Sequence, residues 1–219
     1  MTTGIETKPR SKTKRRTAPK EVRRLQLIEA TVDCIAERGI SGTTMAAVTG
    51  RAGLSMGIVS LHFESKDNLL NATLTHLSQE VRSTWAGLMK DDTLAPTERL
   101  WAIAMSSFDP RIFNPTQISV WFAYFGEVQY RVLYRQIVES FDDERTDVLE
   151  DLCESLNAGD PIDVASIAGG IESFSDGLWL NAILYPEKFT RDYCISQMAT
   201  FLRATFPAHF KKPNLEVSA

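Results

Sequence analysis

The chain is predicted to be all-α. Apolar residues recur every three or four positions along most of its 219 residues, and its prolines fall where helices of that period would open or close. No segment alternates apolar and polar residues as a half-buried strand does. Charge divides the chain in two. Residues 1–70 hold 12 Lys+Arg against 7 Asp+Glu, residues 71–219 hold 12 against 21, and the whole carries a net charge of -4. A basic end on an acidic body predicts that one part only is drawn to phosphate.

Residues 1–20 carry Lys8, Arg10, Lys12, Lys14, Arg15, Arg16 and Lys20 among Thr, Ser, Pro and Gly, with no apolar period. The segment is expected to be a disordered basic arm, lying along DNA phosphates or simply solubilising the chain. From Glu21 to Arg38 the apolar positions Leu25, Ile28, Val32 and Ile35 mark an amphipathic helix, which Gly39 ends in a left-handed conformation. Thr43 or Thr44 then caps a second helix running to Ala52. Gly53 makes a turn, Ser55 caps a third helix to Phe63, and Ser65 caps a fourth from Lys66 to about Met89. The inward stripe of the fourth is Leu69, Leu70, Leu74, Leu77, Val81, Trp85 and Leu88. Pro96 opens a helix to about Ser107, Asp109-Pro110 breaks the chain, and Pro115 starts a helix to about Glu127. Further helices are expected from Tyr130 to about Asn157, from Pro161 to Leu184, and from Thr190 to Phe206.

Two short helices joined by a Gly turn, with a further helix following at once, form a helix-turn-helix reader of the major groove. The third helix, Ser55 to Phe63, has two faces. Ile58, Val59 and Phe63 turn inward, while Met56, Gly57, Ser60 and Leu61 are left outward. Gly57 lets the helix backbone settle close to the groove, Met56 can touch a thymine methyl, and Ser60 can bond a base edge or phosphate. The helix carries no Arg, Asn or Gln, so much of the affinity is expected from phosphates, through Thr44, His62 and Lys66.

Several classes are excluded. No apolar run reaches the roughly 18 residues of a membrane span, and no apolar stretch follows the basic N-terminus as in a secretory signal. Cys34, Cys153 and Cys194 lie far apart without metal-ligand spacing and read as reduced thiols of a cytoplasmic protein. A Gly-rich phosphate loop, a metal cluster and a Ser-His-Asp arrangement are all missing, and His62, His76 and His209 stand isolated. Neither catalysis, metal nor cofactor is expected.

The segment Thr43 to Leu70 resembles the DNA-binding head of the TetR family of bacterial repressors, above all in the turn Ala52-Gly53-Leu54-Ser55 and the join His62-Phe63-Glu64-Ser65-Lys66. Patches along the body are similar to the choline-responsive branch of that family: Gly57-Ile58-Val59-Ser60, Asn71-Ala72-Thr73, Phe108-Asp109, Trp121 to Phe125 and Asp176 to Leu180. The resemblance implies a homodimeric repressor of choline-to-glycine-betaine genes that leaves its palindromic operator when choline binds. The candidate DNA-binding residues of the head are Thr43, Thr44, Ser55, Met56, Gly57, Ser60, Leu61, His62 and Lys66. Leu61 is a departure, standing where these repressors often carry a ring or imidazole.

In the body, helical spacing puts Trp121, Tyr124 and Phe125 on one face, and Asp176 with Trp179 on another. Phe108-Asp109 sits at a helix end, with Trp101 one helix face back. Plain core packing is the common explanation of an aromatic stripe. Here carboxylates accompany the indoles, and only Arg111 is near in sequence to pair with them. A quaternary ammonium such as choline is held by ring faces and a negative charge, so the expected cage is Trp121, Tyr124, Phe125 and Trp179 with Asp109 or Asp176 as counter-charge. An inducer such as carnitine, betaine aldehyde or a drug-like cation would use the same mechanism, whereas a ligand-independent architectural protein would not need the indole-rich body. The helices 164–184 and 190–206 are the expected dimer surface, through Ala165, Ala168, Gly169, Gly170, Ile171, Phe174, Leu178 and Phe201. The expected divisions are an arm at 1–20, a DNA-binding head at 21–66, a ligand-binding and dimerisation body at 67–207 and a tail at 208–219.

Overall fold

Side-chain caps open five of the α-helices, whereas Ser55, expected to cap the third, makes no side-chain cap bond. The computed structural model describes residues 19–91, 93–157 and 163–210. Among them are nine α-helices, one short 3-10 helix and no strand, as the periodicity predicts. The basic arm before residue 19, Pro161 and the tail from 211 lie outside the described residues.

The head is built from α1 (Lys20–Gly42), α2 (Met45–Ala52) and α3 (Met56–Phe63). Gly39 interrupts α1 with φ 69° and ψ 173°. The positive φ was expected, but the extended ψ is not left-handed helical, and residues 40–42 resume the helix. Leu27, Ile28, Thr31, Cys34 and Ile35 form the inward face of α1. Leu25, expected on that stripe, is 41% exposed because Leu27 takes the inward position on that turn. Thr44 caps α2 by accepting from the Ala47 N–H at 3.1 Å. Gly53 closes α2 in the left-handed region, φ 63° and ψ 30°, where an L side chain would be strained.

Ser65 accepts from the Asn68 N–H at 3.1 Å and opens α4 (Lys66–Trp85), which ends a turn sooner than its apolar stripe suggests. The body continues with α5 (Pro96–Ser106), α6 (Pro115–Gly126), the 3-10 turn η1 (Val128–Tyr130), α7 (Arg131–Leu156), α8 (Val164–Leu184) and α9 (Arg191–Thr205). Asn114 and Thr190 cap α6 and α9, and Asp163 rather than Pro161 opens α8 by accepting from the Ser166 N–H.

Three apolar clusters follow. One closes the head around Leu27, Val48, Val59 and Phe63. The second joins α1 and α4 to α6 and α7 through Ile35, Leu74, Tyr124 and Val138. The third packs α5, α7, α8 and α9 around Leu100, Leu152, Ile171 and Leu202. The chain after α9 returns to this third cluster. Phe210 is 3% exposed, with its ring 6.2 Å from Trp101 and 6.3 Å from Phe206. Phe210→Ala is therefore expected to cost about 3 kcal/mol. Urea denaturation should show a lower midpoint at unchanged slope, whereas an unchanged midpoint would put the ring outside the core.

Candidate DNA-binding head and ligand cavity

On α3, Val59 and Phe63 are buried against α1 and α2, and Ile58 is half-buried. The opposite face presents Met56, Gly57, Ser60 and Leu61 to solvent. A Cβ added at Gly57 would meet nothing within 4 Å, so no neighbour in the chain requires glycine there. Arg24 lies 5.3 Å from the centre of the Phe63 ring, and Gln26 donates to the Ala52 carbonyl at 2.8 Å. These contacts hold α3 and α2 against α1.

The nine head residues are not equivalent. Thr44, Ser55, Met56, Gly57, Ser60 and Leu61 are exposed. Thr43 is 1% exposed and donates to the Gly39 carbonyl at 2.8 Å, so its hydroxyl faces the fold rather than a phosphate. Lys66 donates to the Ile40 carbonyl at 2.8 Å, pinning the start of α4 to the end of α1 and leaving its remaining N–H groups as donors. His62 is half-buried, and its Nδ1 is enclosed without a partner.

In the body, α4, α6, α7 and α8 surround a cavity of about 780 Å³, counting its open mouth. Trp121 and Phe125 face it from α6, Trp179 and Asp176 from α8, Trp85 from α4 and Tyr134 from α7. The rings brace one another edge to face: Trp121 with Tyr134 at 5.8 Å, Phe125 with Tyr134 at 4.8 Å. The Trp179 indole N–H donates to the Ser107 carbonyl at 2.9 Å, which fixes the ring in the wall.

The charges of the cavity are uneven. Arg145 is buried, donates to the Ser107 hydroxyl at 2.9 Å, and lies 2.9 Å from Glu172 without a hydrogen-bonding angle. Arg82 is bound to Glu144 at 2.8 Å. Asp176 accepts no hydrogen bond from the described residues. Asp176 is surface-exposed on α8 while also lining the cavity, so water reaches its carboxylate directly and only part of its hydration is lost. Its carboxyl is pushed up to about 6 by that loss first and by the negative charge of Glu172 second, with Arg145 pulling the other way.

Residues 96–207 match the family described as BetI-type transcriptional repressor, C-terminal, and residues 27–73 match bacterial regulatory proteins, tetR family. The chain belongs to the TetR family. It is a BetI-like repressor, not an enzyme. The HTH-type transcriptional regulator BetI of Burkholderia thailandensis is 35% identical over 169 residues, covering 75% of this chain and 84% of that protein. BetI of Paraburkholderia xenovorans is 32% identical over 171 residues, covering 78% and 86%. Among solved structures, a transcriptional regulator from Pseudomonas aeruginosa superposes with a TM-score of 0.73 at 23% identity, over 88% of this chain and 94% of that one. A regulator from Saccharomonospora viridis in complex with choline superposes at 0.68 with 18% identity, over 84% and 97%. Membership in the family carries operator binding and dimerisation.

Of the eight body residues named from the sequence, the repressor brings Trp121, Phe125, Asp176 and Trp179 to one cavity. The other four lie elsewhere. Tyr124 is fully buried on the far face of α6 and donates to the Leu70 carbonyl at 2.7 Å. Asp109 is held by Arg111 at 2.9 and 3.0 Å, which keeps its carboxyl below the usual range, so it is paired within the chain. Phe108 packs edge-on against Phe113, and Trp101 against Phe210. Ala168, Ile171 and Leu178, expected at the dimer surface, are internal; the exposed residues of α8 are Ala165, Ser166, Gly169, Ser173, Asp176, Leu180 and Leu184.

Trp85, Phe122, Tyr134, Arg145 and Glu172 were missed. Arg145 left a readable sign, since it occupies a buried-stripe position between Val138 and Leu149. Cys153 and Cys194 are buried thiols pushed up to about 12 and about 11 by that burial, and Cys34 is buried too. Among the described residues no helix is long and apolar enough to cross a membrane, and no cluster could hold a metal ion.

Two outcomes follow from this geometry. The folded chain holds the Asp176 proton more tightly than the unfolded chain, so ionised Asp176 costs stability above pH about 6. Asp176→Asn should melt higher than wild type at pH 7.5, with the gap closing as pH falls through 6 towards 4. A constant gap would mean that the carboxyl is not perturbed. Gly57→Ala should leave the melting temperature equal or higher, by up to about 1 kcal/mol of helix propensity, yet weaken operator DNA in a mobility shift. Undiminished DNA binding would show that the backbone there does not approach the duplex.

Proposed function

We propose that the chain represses choline-to-glycine-betaine genes as a homodimer on a palindromic operator and is released by a small quaternary ammonium ion, choline first among them. Residues 21–66 serve as the DNA-binding head in this reading, and residues 67–207 as receptor and dimerisation body. The observation that carries it is Asp176, a carboxylate without a hydrogen-bond donor, in a cavity walled by Trp121, Phe125, Tyr134 and Trp179. A trimethylammonium group has no N–H to offer. Ring faces and a fixed negative charge are what hold it, each ring contributing ~0.5–2 kcal/mol. BetI relatives and the choline complex of a structural neighbour support the same ligand class.

Release needs a link from cavity to head, and α6 supplies one. Its Trp121 and Phe125 face the cavity, while Val120 and Tyr124 pack on Ile35, Ile40, Leu70 and Leu74 of α1 and α4. Ser41 of α1 also donates to Glu127 just beyond α6, at 2.9 Å. A ligand that displaces α6 therefore shifts the helices that carry α3. A coupling of ~1–3 kcal/mol per site suffices to change operator occupancy, because two heads about 34 Å apart must meet successive turns of DNA together.

Calorimetry with choline at pH 7.5 is the test. Trp179→Ala should weaken binding by about two- to thirtyfold, one ring's share. Asp176→Asn should weaken it on the order of a hundredfold, as expected for a charge ~5 Å away at an effective dielectric of about 20. Wild-type affinity should fall as pH drops through 6, as Asp176 takes up its proton, and the Asn variant should lose that dependence. Unaltered binding in both variants would place choline elsewhere or exclude it.

A further inference from the structure

The outward face of α3 is short of polar readers. Met56 is 47% exposed and Leu61 is 73% exposed, the highest value among the exposed large apolar side chains of the described residues. Gly57 contributes only backbone. The Ser60 hydroxyl is turned back onto the Met56 carbonyl at 3.3 Å. An exposed leucine contributes nothing to the core, and none of the three apolar clusters includes Leu61. In the major groove only one group of an unmodified base rewards apolar contact, the C5-methyl of thymine.

We propose that Met56 and Leu61 read thymine methyl groups, and that this apolar contact is the main direct base recognition by α3. The inference rests on α3 being the groove-inserted helix of the head. Gly57, open on all sides, lets the backbone come close enough for side chains on either side of it to reach the groove floor. Met56 and Leu61 lie five residues apart, about 7.5 Å along the helix axis at 1.5 Å per residue, so they address different base steps. Lys66 and the helix starts supply affinity without sequence. Discrimination is then carried by where the methyls stand, and cytosine is refused because it has none.

The experiment selects a duplex from a random pool with the full-length protein, then replaces each thymine of one half-site in turn by deoxyuridine. That change removes the methyl and leaves the pairing edge intact. At one or two positions wild type should lose about fourfold in affinity per methyl, the worth of one buried carbon. Leu61→Ala should become indifferent to deoxyuridine at one of them and Met56→Ala at the other, each with an unchanged melting temperature. Selection of a duplex that tolerates deoxyuridine at every position would overturn the methyl readout while leaving DNA binding in place. Failure to enrich any duplex would overturn the DNA-binding assignment of α3 itself. Retained deoxyuridine sensitivity in both variants would assign the methyl contact to other residues and overturn the roles of Met56 and Leu61.

Discussion

One helix has to satisfy two neighbours at once. The Tyr124 hydroxyl on α6 is buried and donates to the Leu70 carbonyl of α4, while Trp121 and Phe125, three residues back and one ahead, form the cavity wall. Because burial is close to complete on the Tyr124 side, the face against α1 and α4 has no slack in which to slide. Close-packed interiors transmit displacement rather than absorb it. An occupant pressing on the cavity face of α6 is therefore felt at α1 and at the start of α4, where Tyr130 also holds Asp67 and Lys66 holds Ile40.

The charges lining the cavity are unevenly matched. Arg145 is already engaged by Ser107, Ile103 and Glu172, and Arg82 by Glu144. Asp176 is the one carboxylate in the wall whose charge the fold leaves poorly balanced, and the neighbouring Glu172 sharpens the imbalance. A zwitterion would add a carboxylate beside Asp176 and Glu172, and the two guanidiniums lining the cavity, Arg82 and Arg145, already have carboxylate partners. A neutral ligand would leave that charge as it stands. A monocation, the ligand proposed above, would balance that charge, and a differential interaction of this kind is what lets a ligand shift a two-state equilibrium.

Architecture was legible because caps and breakers are local. Thr44, Gly53, Ser65, Pro96, Pro115 and Thr190 each act within a turn of themselves, and the helix boundaries they imply lie within a few residues of those observed. The faces of α3 were legible for the same reason, since eight residues allow only one apolar side. Leu25 and Gly39 show the limits: a stripe can rotate by one residue, and a positive φ does not specify ψ.

The cavity was legible only by halves, and the reason is geometric. Spacing shows that Trp121, Tyr124 and Phe125 share a helix face, but α6 is wrapped on both sides, and a hundred degrees of rotation separate lining from packing. Which side faces the cavity depends on α7 and α8, elements distant in sequence. Tyr124 and Tyr134 thus exchange the roles that α6 alone suggests: the first seals the joint with α4, and the second closes the cavity. Asp109 and Asp176 part in the same way. Asp109 has an arginine two residues on and is paired locally, whereas Arg145, the cation near Asp176, comes from α7 and already has partners of its own. A carboxylate whose nearby cation is held by other groups is a tertiary fact. It arises where α7 and α8 meet, and no window along the chain contains it.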